Sequence, residues 1–419
     1  MARTVAELPP GTRITDYISL GVIASRFPLD TVNSVVAAAG KTSKRQRDLP
    51  SHVVVYYVIA MALFMHSSYR EILRCLLEAV QWLAGPETAI IVAGKSAISQ
   101  ARTRLGWQAM QQLHDQIVQP VATGDTKGAW YKQWRLVSLD GSTLDVADEE
   151  SNAKAFGRPG SSRGESAYPQ IRFVSLVENG THVLFGSQMA DYNTGELVLA
   201  KKVLSALKKG MLCLADRLFF GYQMWKEASA TGADLLWRVK KNALLPCEKR
   251  LADGSYLSTI YPSEKDRRKK TKGIVVRVID YRLEGVEDAE PVYRLVTTIL
   301  DPKLAPAGEL AALYHERWEI ETALDELKTH LRGSNGARVE STLIILRSKT
   351  PDLVRQEFYG LMMAHFAVRG LMHEAALKGD VDPDRLSFLH AVRVIRRKLA
   401  MASAIPPSEE EKVSSDGIE

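Results

Sequence analysis

Cysteine is scarce in this chain. Cys75, Cys213 and Cys247 are the only three in 419 residues and lie far apart. They offer neither a disulfide framework nor a metal-binding C-x-x-C pair, so a reducing, cytoplasmic setting is expected. Long apolar runs are missing too. The longest, residues 53–65, falls short of the roughly 20 residues that span a bilayer and predicts a buried helix instead. No signal-peptide pattern and no internal repeat is evident. A secreted, a membrane or a repeat architecture is therefore not expected. What remains, 46% hydrophobic and 25% charged residues, is the composition of an ordinary globular protein, long enough for two or three domains. A formal charge of +6 and a pI near 9.0 suit a polyanionic partner, although many soluble proteins share that balance.

Residues 1–125 read as an all-helical N-terminal DNA-binding domain. Asp30 or Thr31 is placed to cap a helix that ends at Gly40, and the basic run Lys41, Lys44, Arg45 and Arg47 forms the next loop. Residues 68–83 and 95–121 continue as amphipathic helices. Near Lys95 to Gly106, polar and basic residues flank a turn, which makes Arg102 and Arg104 candidates for reading DNA. A solvated helix face is the plainer account of two arginines.

From residue 126 the pattern changes to strands. Residues 134–140 alternate and end on Asp140 and Gly141, and a polar, glycine-rich loop follows. Segments 170–177 and 181–185 flank Asn179-Gly180, the strongest short hairpin signal. A helix over 193–208, an apolar strand ending on Asp216, a helix over 219–230 and a strand through Trp237 complete the stretch 126–240. With a long helix to follow, this is a ribonuclease H-like order of elements: an α/β fold whose catalytic core is a mixed five-stranded sheet with helices. Residues 241–305 read as a β-rich insertion with strands over 273–283 and 291–300. The charge run before them contains Arg267, Arg268, Lys269 and Lys270, and suits either a solvated hairpin tip or contact with phosphates. Residues 306–400 supply the second part of the core and C-terminal helices, one over 353–378 and one from about Asp382, and 401–419 read as a disordered tail.

The stretch YHERWEIETALDELK, residues 314–328, lacks Gly and Pro and predicts a helix. At about 100° per residue, Tyr314, Arg317, Glu321 and Lys328 share an arc of about 60°. The apolar arc containing Leu313, Ile320, Leu324, Leu327 and Leu331 lies roughly 80° away. One face can seat on a core while its neighbour holds a carboxylate between two cations and a phenol. Two strand-end aspartates and this glutamate, Asp140, Asp216 and Glu321, come from three different elements. Singly, each reads as a turn, cap or surface residue. Grouped, three carboxylates need hard divalent cations, and oxygen donors of this kind suit Mg²⁺ or Mn²⁺. Two such ions activate a water or hydroxyl and stabilise the leaving oxygen in attack on a phosphodiester.

The chain resembles bacterial DDE transposases of the insertion-sequence-four family, to which the transposase of transposon five also belongs. The Tyr-x2-Arg-x3-Glu-x6-Lys signature is met at Tyr314, Arg317, Glu321 and Lys328, and the aspartate motifs at residues 139–143 and 215–219. The likeness runs from about residue 15 to 370. It implies that Asp140, Asp216 and Glu321 are catalytic and bind two Mg²⁺ or Mn²⁺ ions. It also implies that Tyr314, Arg317 and Lys328 contact phosphates at the element's end, with Arg217 in the second motif a further DNA-binding candidate. In related members a tryptophan holds a flipped base; Trp237 is the candidate, but its place in a core strand favours packing. The expected reaction is cleavage of double-stranded DNA at the element ends through a hairpin intermediate, then joining to target DNA, by a homodimer that bridges two ends. A metal-dependent nuclease without joining activity and an inactive DNA-binding protein are the alternatives.

Overall fold

The computed structural model describes residues 22–43, 49–76 except 66 and 75, 93–282 except 162, 163, 166, 167 and 241, 290–331 except 330, and 345–398. The expected tail over 401–419, Cys75 and part of the helix expected over 68–83 lie outside the described residues. After the short helix Val22–Arg26 come α1 (Leu29–Ala38), α2 (Ser51–Leu63), α3 (Lys95–Leu105) and α4 (Gln108–Ile117). Neither Asp30 nor Thr31 caps α1. The helix starts at Leu29, two residues before the start that an Asp30 cap implies, with Pro28 at the cap position and no side-chain cap, and Phe27 and Val32 at its start are both buried. The helix expected over 95–121 is broken at Gly106, whose φ of +74° is open to glycine at little cost.

α2 is apolar all round, and every residue from Val53 to Leu63 is buried. Its neighbour is the 29-residue helix Pro351–Gly379. A Cβ on Gly360 of that helix would lie 2.7 Å from the Val58 carbonyl oxygen, so the two backbones approach closely only because a side chain is absent there. The N-terminal helices, the sheet and the C-terminal helices share one continuous apolar cluster that runs from Ile23 to Ile395.

The sheet is built from β1 (Trp134–Val146), β2 (Gln170–Glu178), β3 (Val183–Asp191), β4 (Met211–Ala215) and β5 (Asp234–Arg238), with helices α5 (Glu196–Val203) and α6 (Tyr222–Ser229) in the connections. It does not stop at five strands. β6 (Tyr256–Ile260), β7 (Ile274–Tyr281) and β8 (Tyr293–Thr297), expected in an insertion, extend the same sheet in the order β3-β2-β1-β4-β5-β8-β7-β6. The physical reason is that β8 finds an open edge on β5 and pairs with it antiparallel, Val296 opposite Trp237. Among the described residues, β1-β4-β5 and the short strand Ile345–Leu346 beside β1 pair parallel, and the other pairings of this sheet are antiparallel. The charge run is not a simple hairpin tip. It forms a short helix, Glu264–Lys269, capped by the Ser263 side chain and with no buried residue.

The helix expected over 314–328 is wound in two ways. Residues Tyr314–Trp318 form a 3-10 turn, and α7 (Glu319–Lys328) is α-helical. The apolar positions Ile320, Ala323, Leu324 and Leu327 are buried against the sheet. The long helix Pro351–Gly379, α8, follows, then α9 (Phe388–Lys398), which is separated from it by the turn Pro383–Arg385 that Asp382 caps.

Candidate active site

In the parallel pair β1 and β4, Leu139 stands opposite Ala215. The next residue on each strand is an acid, so Asp140 and Asp216 leave the parallel pair side by side. Asp140 is not, however, at the end of its own strand. β1 runs on to Val146 because its other edge continues antiparallel with β2, Asp140 opposite Ser175 and Asp145 opposite Gln170. Gly141 makes no turn here. A Cβ on it would meet the Phe173 carbonyl oxygen at 3.1 Å and the Glu196 carboxyl carbon at 3.2 Å. Glycine thus lets a fourth carboxylate, Glu196 at the start of α5, lie against the aspartate strand.

Burial pushes the Asp140 carboxyl up to about 6, and the neighbouring Glu196 and Asp216 add to the rise. The Gly141 N–H, which donates to Asp140 Oδ1 at 2.8 Å, and the Arg317 guanidinium oppose it. Arg317 joins Asp140 of the sheet to the helix acid. Its Nη1 lies 3.4 Å from Asp140 Oδ2 and its Nη2 lies 3.0 Å from Glu321 Oε1. Although burial works against its charge, Tyr314, Glu321 and Asp140 together raise its pKa. The other two members of the helix stripe also reach the strands. Tyr314 is 7% exposed, and its hydroxyl donates to the carbonyl of Ala215, the residue before Asp216, at 3.2 Å. Lys328 Nζ donates to Ser142 Oγ at 3.1 Å, two residues beyond Asp140.

This donor set fits divalent ions: three carboxylates, one of them with a pKa raised mainly by burial and further by neighbouring acids. Among the described residues the three do not form a one-ion cage with ligand atoms all within 4.8 Å, a condition met elsewhere by His182, Glu319 and Asp384.

The remaining candidates divide sharply. Arg102 faces inward and is unavailable to DNA: at 2% exposure it donates to Gln356 Oε1 and Ser348 Oγ, both at 2.9 Å, and to the Leu353 carbonyl. It ties α3 to α8. Arg104, one half-turn on, is exposed. Trp237 is fully buried and packs edge-on against Trp225 with ring centroids 5.3 Å apart, so no base can stack on it. Arg217 is half exposed and 3.4 Å from Glu290. Arg268, Lys269 and Lys270 are exposed, while Arg267 bonds Glu264 and lines a cleft of about 270 Å³ with Phe220, Tyr222 and Tyr261. The reading of the sequence missed Glu196. Its one signal is the pairing of Gly195 with an acid at a helix start, which is common on surfaces.

Two strand aspartates, a helix glutamate and an interleaved arginine are residue types suited to the class of enzymes that act on phosphodiesters with divalent metal. The chain belongs to the DDE transposases of the insertion-sequence-four family, since the family described as "Transposase DDE domain" matches residues 132–366 and "Insertion element 4 transposase N-terminal" matches residues 17–115. It is 28% identical over 382 residues to "Transposase InsG for insertion sequence element IS4" of Escherichia coli (strain K12), covering 90% of this chain and 82% of that protein. It is 25% identical over 236 residues to "Putative transposase InsZ" of the same strain, covering 56% of this chain and 74% of that one. As a DDE transposase it acts on DNA and depends on divalent metal. No described helix is long and apolar enough to cross a membrane.

Proposed function

We propose that this enzyme frees the ends of an insertion element by metal-dependent hydrolysis, passes through a hairpinned end, and joins that end to target DNA by transesterification. The observation that carries the reading is the Arg317 bridge, which holds Asp140 of the sheet and Glu321 of the helix within one charge network. The strands β3-β2-β1-β4-β5 with α5, α6 and α7 would be the ribonuclease H-like core. Asp140, Asp216 and Glu321 would hold two Mg²⁺ or Mn²⁺ ions, which supply an activated oxygen nucleophile and offset charge on the leaving oxygen. Arg317, freed from its acids when cations take its place, would turn its fork to a phosphate, a bidentate contact that lysine does not reproduce. Lys328 would add a point charge beside β1. Tyr314 would act through Asp216, bracing the end of β4, rather than by touching DNA. Where a base is everted, the cleft lined by Phe220, Tyr222, Tyr261 and Arg267 would receive it in place of Trp237. Arg104, Arg217, Arg268, Lys269 and Lys270 would meet the DNA backbone, and two chains would bridge two ends.

A supercoiled plasmid carrying the element's ends tests this. Joined products in Mg²⁺ or Mn²⁺ support the proposal. Cuts without joining make the protein a nuclease, and retardation without cleavage a binder.

A further inference from the structure

Away from the aspartate strands, three segments meet at one point: the turn between β2 and β3, the start of α7, and the turn Pro383–Arg385. Each brings one ligand-type side chain. His182 Nε2 lies 3.0 Å from Asp384 Oδ1 and 3.7 Å from Glu319 Oε2, and the three donor atoms all fall within 4.8 Å of one another. His182 is 3% exposed, yet its Nε2 has no hydrogen-bond partner while facing the two carboxylates. The other edge of the ring is gripped. Nδ1 accepts from Arg369, which also holds Glu326 with two nitrogens, and Glu326 Oε1 is 3.6 Å from Nδ1.

We propose that His182, Glu319 and Asp384 bind a single Zn²⁺ at a site separate from the catalytic carboxylates. One imidazole nitrogen and two carboxylate oxygens are a donor set that zinc accepts, and the exposure of Asp384 leaves a position for water. The charges balance: two carboxylates offset the ion, and Glu326 and Arg369 already neutralise each other. In the ion-free chain the bond from Arg369 leaves the ring proton on Nε2. On loading, that proton leaves Nε2 for the metal to bind and Nδ1 takes one up. For that, Arg369 Nη2 withdraws from Nδ1 and Glu326 Oε1, 3.6 Å away in the ion-free chain, closes in to accept from it, giving the carboxylate–histidine–metal arrangement. Arg369 keeps Glu326 through Nε.

The site pins three separate stretches of chain. Asn179 donates to the Glu316 carbonyl at 2.7 Å and the Gly180 N–H to Glu319, so the hairpin turn already rests on the start of α7. An ion would lock the C-terminal turn onto the same point, two residues from Glu321. Its work is positional, not chemical.

The full-length chain carrying Asp140→Asn, Asp216→Asn and Glu321→Gln, which removes the catalytic acids as ligands, is titrated with Zn²⁺ by calorimetry and with Co²⁺ by visible absorption. One equivalent of Zn²⁺ and one Co²⁺ absorption band set are expected. Adding Asp384→Asn or His182→Gln weakens Zn²⁺ binding by more than about tenfold and abolishes the cobalt bands. Asp384 lies on an exposed turn, so its variant decides the matter even where His182→Gln fails to fold, and circular dichroism records which variants are folded. No Zn²⁺ equivalent in the parent, or binding undiminished by Asp384→Asn in a folded chain, overturns the proposal.

Discussion

Arg317 stands where acids would otherwise repel, 3.4 Å from Asp140 and 3.0 Å from Glu321. Its charge keeps the ion-free site tolerable, and a phosphate can take over the guanidinium once cations hold the acids. Arg317→Ala is therefore expected to weaken binding to end DNA and to reduce the slope of log affinity against log salt by about 0.9. An unchanged slope measured across a salt series would show that Arg317 meets no phosphate. Tyr314 makes a different prediction. Tyr314→Phe removes the bond to the Ala215 carbonyl at a cost of about 1 kcal/mol, and should slow cleavage through Asp216 while leaving end binding unchanged; equal cleavage rates would rule out the brace. As candidates, the positions of Asp140, Asp216 and Glu321 were legible in the sequence, because a fixed spacing and two short motifs mark them. The surroundings of Arg102, Trp237 and Glu196 were not. Whether Arg102 faces water or Gln356 depends on a helix 254 residues along the chain, and Glu196 reaches Gly141 only after the strands have paired.

Elements behave in the same way: local pattern gives their kind, and partners set their limits. The hairpin around Gly180, at φ +78°, is written in Asn179-Gly180. The length of β1 is not, because its second half exists through β2, and neither is the attachment of β8 to β5. The 3-10 winding of Tyr314–Trp318 likewise escapes an ideal helical wheel. Two element-scale predictions follow from close approaches. Gly360→Val places atoms where Val58 backbone sits 2.7 Å from a Cβ, so separating α2 from α8 should cost about 1–3 kcal/mol and lower the Tm; an unaltered Tm would contradict this packing. Asp253 ties the outer strands to the segment leading into α7, accepting from the fully buried Arg277 and, at 2.8 Å, from the Ala307 N–H. Burial opposes its ionisation, but Ser255, Ala307 and Arg277 outweigh it and hold the carboxyl below its ordinary value. Its contribution is thus present above the unfolded aspartate pKa of about 3.9 and is lost as pH falls through the lower folded value. Asp253→Asn, which weakens the pair while Arg277 keeps Ser255 and the Ile299 and Ala305 carbonyls, should cost about 1 kcal/mol at neutral pH, since Asp253 is exposed. The gap to the parent protein should narrow below pH about 4 in denaturant titrations, and a gap independent of pH would refute the linkage.

On the scale of the whole molecule, the N-terminal helices, the sheet and the C-terminal helices share one core. α8 packs against both the N-terminal helices and the sheet. The same core fixes α7 against β1, and with it the angle at which Glu321 meets the strand acids. A net charge of +6 over the whole chain is modest, so grip on DNA must come from local placement of cations around this face rather than from bulk charge. Mixed with end DNA, the protein is expected to form a complex whose mass corresponds to two chains and two ends; a complex with one chain would contradict the bridging arrangement. The most direct measurement is anomalous diffraction from crystals soaked in Mn²⁺ with end DNA bound. Two manganese peaks contacted by Asp140, Asp216 and Glu321 are predicted, and their absence from these three carboxylates would contradict the account.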